Sequence, residues 1–286
     1  MSGALTLPPG TDPVPLEAVA CHVAQAAGRL VVDERPARLG VSTKSTLTDP
    51  VTVMDQRSQQ LLLRLLAERR PDDGVLGEEE GGTAGRSGVT WVVDPIDGTV
   101  NYLYDIPAYA VSVAAVVGDP GGPGPWEPVA GAVLNPLTGE LFSAHRGGGA
   151  RLTTAAGVRT LRATEVTDLA MALVGTGFSY SPQTRRRQAA ALVELLPLVR
   201  DIRRHGSAAL DLCSVACGRL DAYYETGLHP WDRAAGELVA TEAGVAVGGP
   251  ADTADDRLTW AAAPGIAEEF SSLVRDLTGR QPDASD

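Results

Sequence analysis

Residues 91–102 read WVVDPIDGTVNY. An apolar run from Trp91 to Val93 stops at Asp94; Pro95 and Ile96 follow, then Asp97, Gly98 and Thr99. Two carboxylates three residues apart at the mouth of a buried strand are costly, because an isolated charge taken out of water must find a partner. No Lys or Arg stands nearby in the chain to provide one. A hard divalent cation with oxygen ligands satisfies both acids. Pro95 turns the chain so that the Ile96 carbonyl can point back at such an ion. Gly98 has no Cβ to block an approaching ligand. GTVNYLY can begin a short helix whose free N–H groups would cradle a phosphate, with the Thr99 hydroxyl at its mouth. Cation, phosphate cradle and hydroxyl together describe hydrolysis of a phosphate ester.

The flanking sequence has two rhythms. PLEAVACHVAQAAGRLVVDE sets Leu16, Val19, Val23, Ala27, Leu30 and Val31 at helical spacing. A second helix follows, with Thr52 placed to cap it, Asp55 three residues on in a capping-box position, and Pro71 to end it. VTWVV is a compact β-run, and YAVSVAAVV and EPVAGAVLNPLTGELFSAHRGGGARL read as strands broken by turns. Later, strands and helices alternate: MALVGTGF, SPQTRRRQAAALVELLPLVR, the extended DIRRHG, SAALDLCSVACGRL with Ser207 as cap, DAYYE, WDRAAGELVATEAG closed by Gly244, and LTWAAAP before a last helix. The expected organisation is a flexible arm over 1–14, an α+β domain with an antiparallel sheet over 15–155, an α/β domain over 156–277, and a polar tail over 278–286.

The 286 residues carry 24 Lys and Arg against 36 Asp and Glu, a net charge of −12. That balance argues against nucleic acid and anionic membranes as partners, which need basic patches. It leaves phosphate esters open, since a bound cation inverts the local sign. No apolar run approaches the ~20 residues of a membrane span. The opening MSGALTLPPGTDPVP lacks the basic and apolar regions of a signal peptide. A cytoplasmic location is expected. Cys21, Cys213 and Cys217 form no disulfide framework, and the pair four apart reads as helix packing rather than zinc binding.

Acids gather at the ends of apolar elements in three further places: Asp55, Glu78 to Glu80, and Asp232. Alone, each has an ordinary explanation as a helix cap, a solvated loop or a second cap. Together they fall into motifs. DPIDGTVN resembles the D-P-(I/L/V)-D-G-T-x-N signature of the inositol monophosphatase family. GEE at Gly77 to Glu79 is similar to that family's upstream acidic motif, TDPVTVMD to its D-x-V-T-x-x-D element, and WDRAAGELVATEAG to its W-D-x-A-A-G-x-x-(I/V/L)-x-x-E-A-G signature. GSAALDLCSVACGRLDAYYE also resembles a family stretch. The resemblance spans about residues 15 to 270, with the four motifs in the family's order. Val100 where Thr is common, the additional acid Glu80, and Pro50 where Leu is frequent depart from the pattern without touching a carried-over residue.

The resemblance implies a layered α-β-α-β-α sandwich of the Mg2+-dependent, Li+-sensitive sugar phosphatase type, with two or three Mg2+ ions per site. Glu78, Asp94 and the Ile96 carbonyl would hold one ion; Asp94, Asp97 and Asp232 would hold a second; a third would rest on Glu78 and water. Asp55 and Thr99 would orient and deprotonate the attacking water. The amides of Gly98 and Thr99 would bind phosphate oxygens, and Asp97, Ala208 and Glu225 would contact the leaving group. Lys44 resembles a family lysine near the metal loop, with an ordinary surface lysine as the other reading; His229 beside Trp231 reads as structural. A homodimer follows from the resemblance alone. The loop EEEGGTAGRSG has nothing apolar to anchor it and is expected to be mobile until a cation orders it.

The details are most similar to bacterial inositol-1-monophosphatases. Glu225, an acceptor facing the ring, suits a polyhydroxylated leaving group. Relatives with the same metal motifs cleave fructose 1,6-bisphosphate, histidinol phosphate or 3′-phosphoadenosine 5′-phosphate, and these stand as alternatives. No dedicated basic pocket for a second phosphate is evident. Arg185 to Arg187 could supply one across a dimer interface, although a solvated helix face is the simpler reading. Binding to the transcription machinery, as some bacterial relatives do, is an alternative of another class.

Overall fold

A computed structural model describes residues 5–37, 39, 41–43, 50–249 and 258–279. The elements run α1 (Pro13–Asp33), β1 (Val41–Thr43), β2 (Pro50–Thr52), α2 (Val53–Arg69), β3 (Gly74–Gly77), β4 (Val89–Asp97), α3 (Thr99–Leu103), β5 (Ala110–Gly118), β6 (Trp126–Asn135), β7 (Glu140–His145), β8 (Ala150–Thr154) and β9 (Gly157–Thr160). Then come β10 (Leu173–Thr176), α4 (Pro182–Leu195), β11 (Asp201–Arg203), α5 (Ala208–Ala216), β12 (Ala222–Thr226), α6 (Pro230–Glu242), β13 (Ala246–Gly248), β14 (Leu258–Ala262) and α7 (Ala267–Gly279).

The expected sandwich is present. A seven-stranded sheet, ordered β3-β4-β5-β6-β7-β8-β9, is covered on one face by α1 and α2. Its other face packs on α5 and α6, which also back a five-stranded sheet ordered β11-β10-β12-β14-β13. α4 and α7 close the far side. The strand sequences explain this layering. In β5, Val111, Val113, Ala115 and Val117 join the core under α1 and α2, whereas Ala110, Ala114 and Val116 join the core under α5 and α6. Side chains alternate across a strand, so a strand covered on both faces reads as one apolar run. β12 and β14 behave alike: Tyr223 and Ala261 face the middle layer, and Ala222, Tyr224, Trp260 and Ala262 face α7.

The same alternation aims the acids of β4. Trp91 and Val93 pack with α1 and α2, and Val92 faces the middle layer. Asp94 is in phase with Val92 and therefore points inward to α5 and α6. The strand does not stop there, as the abrupt end of the apolar run suggested; it continues to Asp97, and its register with β5 breaks between Asp94 and Asp97. Pro95, which has no N–H to give to a ladder, sits in that break.

The first sheet is antiparallel from β4 to β9, but β3 joins β4 in parallel. Parallel neighbours need a crossover, and residues 78–88 provide it. The crossover leaves Glu78 at the end of β3, its N–H donating to the Val93 carbonyl at 3.2 Å. β9 extends this sheet past residue 155 to Thr160. Ahead of α1, the Leu5 N–H donates to Glu127 and the Leu5 carbonyl accepts from Arg146, each at 2.9 Å. No helix among the described residues is long and apolar enough to cross a membrane.

Candidate active site

The ends of β4, α5, β12 and α6 open onto one cleft of about 690 Å3. Glu78, Asp94, Asp97 and Asp232 line it together with Ile96, Gly98, Thr99, Ala208 and Glu225. Among the described residues, every one carried over from the sequence motifs is thus brought to the cleft, except Asp55, which lies behind Thr99.

Asp94, Asp97 and Asp232 converge, each presenting a carboxylate oxygen so that the three oxygens lie within 4.8 Å of one another. Each acid is held by at least one backbone N–H. The Ile96 N–H donates to Asp94 Oδ1 at 3.0 Å. Asp97 Oδ2 accepts from Ser207 Oγ at 2.6 Å and from the Ala209 N–H at 2.8 Å, which docks the end of β4 on the first turn of α5. Asp232 Oδ2 accepts from the His229 N–H at 2.7 Å. Asp232 therefore takes part in the capping box at the start of α6 and also joins the cluster.

The cluster is electrostatically strained without a cation. Burial pushes the Asp97 carboxyl up to about 7, and Glu78 and Asp211 push the same way against the Ser207 and Ala209 hydrogen bonds. Burial, then Asp97 and Glu78, pushes Asp232 well above the usual carboxylate range. Like charges crowded in a low-dielectric pocket oppose ionisation, and a divalent cation removes that opposition. The converging donors are all carboxylate oxygens, the set that suits Mg2+. The residues present therefore fit the metal.

Behind the cluster, Thr52 and Asp55 form the expected capping box: the Thr52 N–H donates to Asp55 Oδ2 at 2.8 Å, and the Asp55 N–H to Thr52 Oγ1 at 3.4 Å. The other carboxylate oxygen, Oδ1, lies 3.1 Å from Thr99 Oγ1, which is also 3.0 Å from the Ile96 carbonyl. Asp55 is completely buried and meets the hydroxyl of Thr99, which lines the cleft. Between Asp97 and Thr99, Gly98 has φ 95°, and a Cβ there would meet the carbonyls of Ala108 and Gly206 at 3.0 Å. Both the left-handed backbone and the close approach require glycine.

The opposite wall comes from the second sheet. Glu225 follows Tyr223 by two residues and shares its face of β12. Tyr223 Oη donates to Glu225 Oε2 at 2.6 Å. Gly177 lies flush against that carboxylate, which a Cβ would overlap. Burial raises the Glu225 carboxyl to about 7, with Asp211 raising it and Tyr223 and Arg204 opposing. Ala208, the first residue of α5, lines the same wall.

Several functional contacts have no signature in the sequence. Ser207 was expected only as a helix cap; it does accept from the Leu210 N–H at 3.3 Å, but its hydroxyl goes to Asp97. The Gln59 amide grips the acidic loop: its Nε2 donates to the carbonyls of Glu79 and Glu80, and its Oε1 accepts from the Glu79 N–H at 2.9 Å. Thr83 pairs with Val75 through two backbone bonds of 2.8 and 2.9 Å. The loop, expected to have no apolar anchor, is held by polar contacts. Asn101 Nδ2 donates to the carbonyls of Ala108 and His205 at 2.6 and 2.7 Å, tying α3 to the turn before α5. His229 stacks on Trp231, with centroids 4.7 Å apart. Lys44 and Asp49 lie outside the described residues.

The model of the inositol monophosphatase family matches residues 12–279. The chain is 48% identical to the inositol-1-monophosphatase of Mycobacterium leprae, over 96% of this chain and 98% of that protein. It is 37% identical to the Nus factor SuhB of Pasteurella multocida, over 91% and 96% of the two chains. The solved structure of Mycobacterium tuberculosis SuhB superimposes with a TM-score of 0.80 at 47% identity, covering 95% of this chain and all of that one. Matched over nearly its whole length in sequence and in fold, this chain belongs to the inositol monophosphatase family.

Proposed function

We propose that the protein is a Mg2+-dependent phosphomonoesterase that converts inositol 1-phosphate to myo-inositol and phosphate. The observation that carries this reading is the convergence of Asp94, Asp97 and Asp232 in a cleft shared with Thr99 and Glu225. Mg2+ held by Glu78, Asp94, Asp97, Asp232 and the Ile96 carbonyl would supply a water nucleophile at neutral pH and neutralise charge on the phosphate. The chain's own groups do the rest. The amides of Gly98 and Thr99 bind phosphate oxygens at the start of α3. Thr99 Oγ1 orients the attacking water and takes its proton as the hydroxyl's own proton passes to Asp55 Oδ1, 3.1 Å away. Glu225, steadied by Tyr223, accepts a hydroxyl of the departing ring, helped by Asp97, and Ala208 gives that ring an apolar edge. Li+ inhibition and a homodimeric assembly belong to the same reading.

The test is phosphate release in Mg2+ from inositol 1-phosphate, fructose 1,6-bisphosphate, histidinol phosphate and 3′-phosphoadenosine 5′-phosphate. Inositol 1-phosphate should be turned over and Li+ should slow it. Turnover of another ester alone would reassign the substrate, and release from none of them would remove the hydrolase reading.

A further inference from the structure

One buried carboxylate near the cleft has no part in the chemistry above. Asp211 is 1% exposed and stands in the first turn of α5, but it neither joins the metal cluster nor lines the cleft. A carboxylate out of water needs a partner. Among the described residues its side chain has one, the half-exposed His205 ring, whose Nδ1 donates to Asp211 Oδ1 at 2.5 Å. Burial pushes the Asp211 carboxyl up and the His205 hydrogen bond opposes that; the same bond raises the imidazole. The pairing matters to the site, because the charge of Asp211 pushes up both Asp97 and Glu225.

The pair also spans a helix start. Ser207 caps α5; His205 lies two residues before the cap and Asp211 four residues after it. Contacts across an N-cap fix the angle at which the chain enters a helix. A hydrophobic staple does this with apolar side chains; here an imidazole and a carboxylate do it with a hydrogen bond. A carboxylate in the first turn suits the helix dipole as well. The entry angle decides where two groups of that turn point: Ser207 Oγ, 2.6 Å from Asp97 Oδ2, and the Ala209 N–H, 2.8 Å from the same oxygen.

The backbone of His205 is engaged on the other side. Its carbonyl accepts from Asn101 Nδ2 at 2.7 Å. Gly206 follows with φ 88°, where a Cβ would meet Asn101 and Arg204, and the Gly206 carbonyl closes on Gly98. One residue therefore joins α3, which begins at the Gly98–Thr99 cradle, to α5, whose start holds Asp97. We propose that His205, acting through Asp211, is a positioning residue for the metal site. The pair fixes the turn before α5 so that Ser207 and Ala209 hold Asp97 in the orientation that binds Mg2+. This role rests on the reading of Asp97 as a Mg2+ ligand of a phosphomonoesterase. His205 itself does not line the cleft.

The test is Mg2+ binding to the metal-free protein by calorimetry, with melting in EDTA and phosphate release from inositol 1-phosphate measured beside it. Ser207→Ala removes a direct partner of Asp97 and should weaken Mg2+ binding about 10–100-fold; His205→Ala acts one step further out and should weaken it about three- to tenfold. His205→Asn keeps a donor where Nδ1 stands and should bind Mg2+ within about twofold of the wild type. Phosphate release by His205→Ala should need proportionately more Mg2+ for its half-maximal rate and approach the wild-type rate at saturation. An unchanged Mg2+ Kd in His205→Ala, whatever its melting temperature, would make the pair a contact of the fold alone and overturn the positioning role. So would a His205→Asn variant as weak as His205→Ala. Mg2+ affinities in the expected order without hydrolysis of the ester would uphold the pair and remove the phosphatase reading. A wild type that binds no Mg2+ would remove both.

Discussion

Asp97 joins three parts of the molecule. Its backbone ends β4, one carboxylate oxygen holds the start of α5, and its charge belongs to the cluster with Asp94 and Asp232. Asp97→Asn should lower kcat by at least about a hundredfold, since loss of a direct ligand exceeds the 10–100-fold typical of outer partners. The melting temperature in EDTA should not fall, because the substitution also relieves crowding; a large drop would assign Asp97 to the fold instead. Glu225 carries a pH signature. Its folded carboxyl stands at about 7 against 4.5 unperturbed, so the native state keeps a proton that the unfolded chain has released. Stability is therefore lost as pH rises from about 4.5 to 7. Glu225→Gln should be more stable than the wild type at pH 8, by up to about 3 kcal/mol, and equal to it at pH 4, as measured by denaturant titration. In the wild type, KM for inositol 1-phosphate should fall as pH rises through about 7, because the ionised carboxylate is the better acceptor. The acids were legible in sequence because a charge beside an apolar run needs a reason. Ser207 was not, since its tie to Asp97 is a contact that only the fold brings about.

At the scale of elements, α2 does more than cover the sheet. Its Asp55 backs Thr99, and one turn on, Gln59 holds the loop that carries Glu78. Gln59→Ala should raise the Mg2+ concentration for half-maximal activity several-fold and speed tryptic cleavage at Arg86 in the same loop. Unchanged Mg2+ dependence and unchanged cleavage would show that the loop is held otherwise. Asn101→Ala leaves the carbonyls of Ala108 and His205 without its two donors. It should cost about 1–3 kcal/mol by denaturant titration and lower kcat, because α3 then loses its tie to the turn before α5. Elements with a periodic pattern or a cap were readable: α1, α2 with its Thr52–Asp55 box, and α6 up to Gly244. β9 was not, because all four of its residues are exposed and it has no apolar period to show. The extension of β4 through Pro95 was missed for a related reason, since a bulge replaces alternation with polar residues.

Over the whole molecule, α5 and α6 form a middle layer that both sheets share. The cleft opens where that layer meets β4 and β12, so the clustered acids come from the first sheet and α6, and Glu225 from the second. The uninterrupted apolar runs of β4 and β5 signalled strands covered on both faces. The stacking of the two sheets about a common layer is not written in any one strand, and it was expected through the family resemblance. A cation bound across elements of both halves should stabilise the whole fold, by about 2.7 kcal/mol at one hundred times its Kd. The most direct measurement is phosphate release from inositol 1-phosphate as Mg2+ is titrated, with wild type and Asp94→Asn side by side. The expected result is no release in EDTA, saturable activation of the wild type, and release at least a hundredfold slower in the variant at every Mg2+ concentration. Release that needs no metal, or a variant as fast as the wild type, would contradict the assignment of the carboxylate cluster as the Mg2+ centre of a phosphatase.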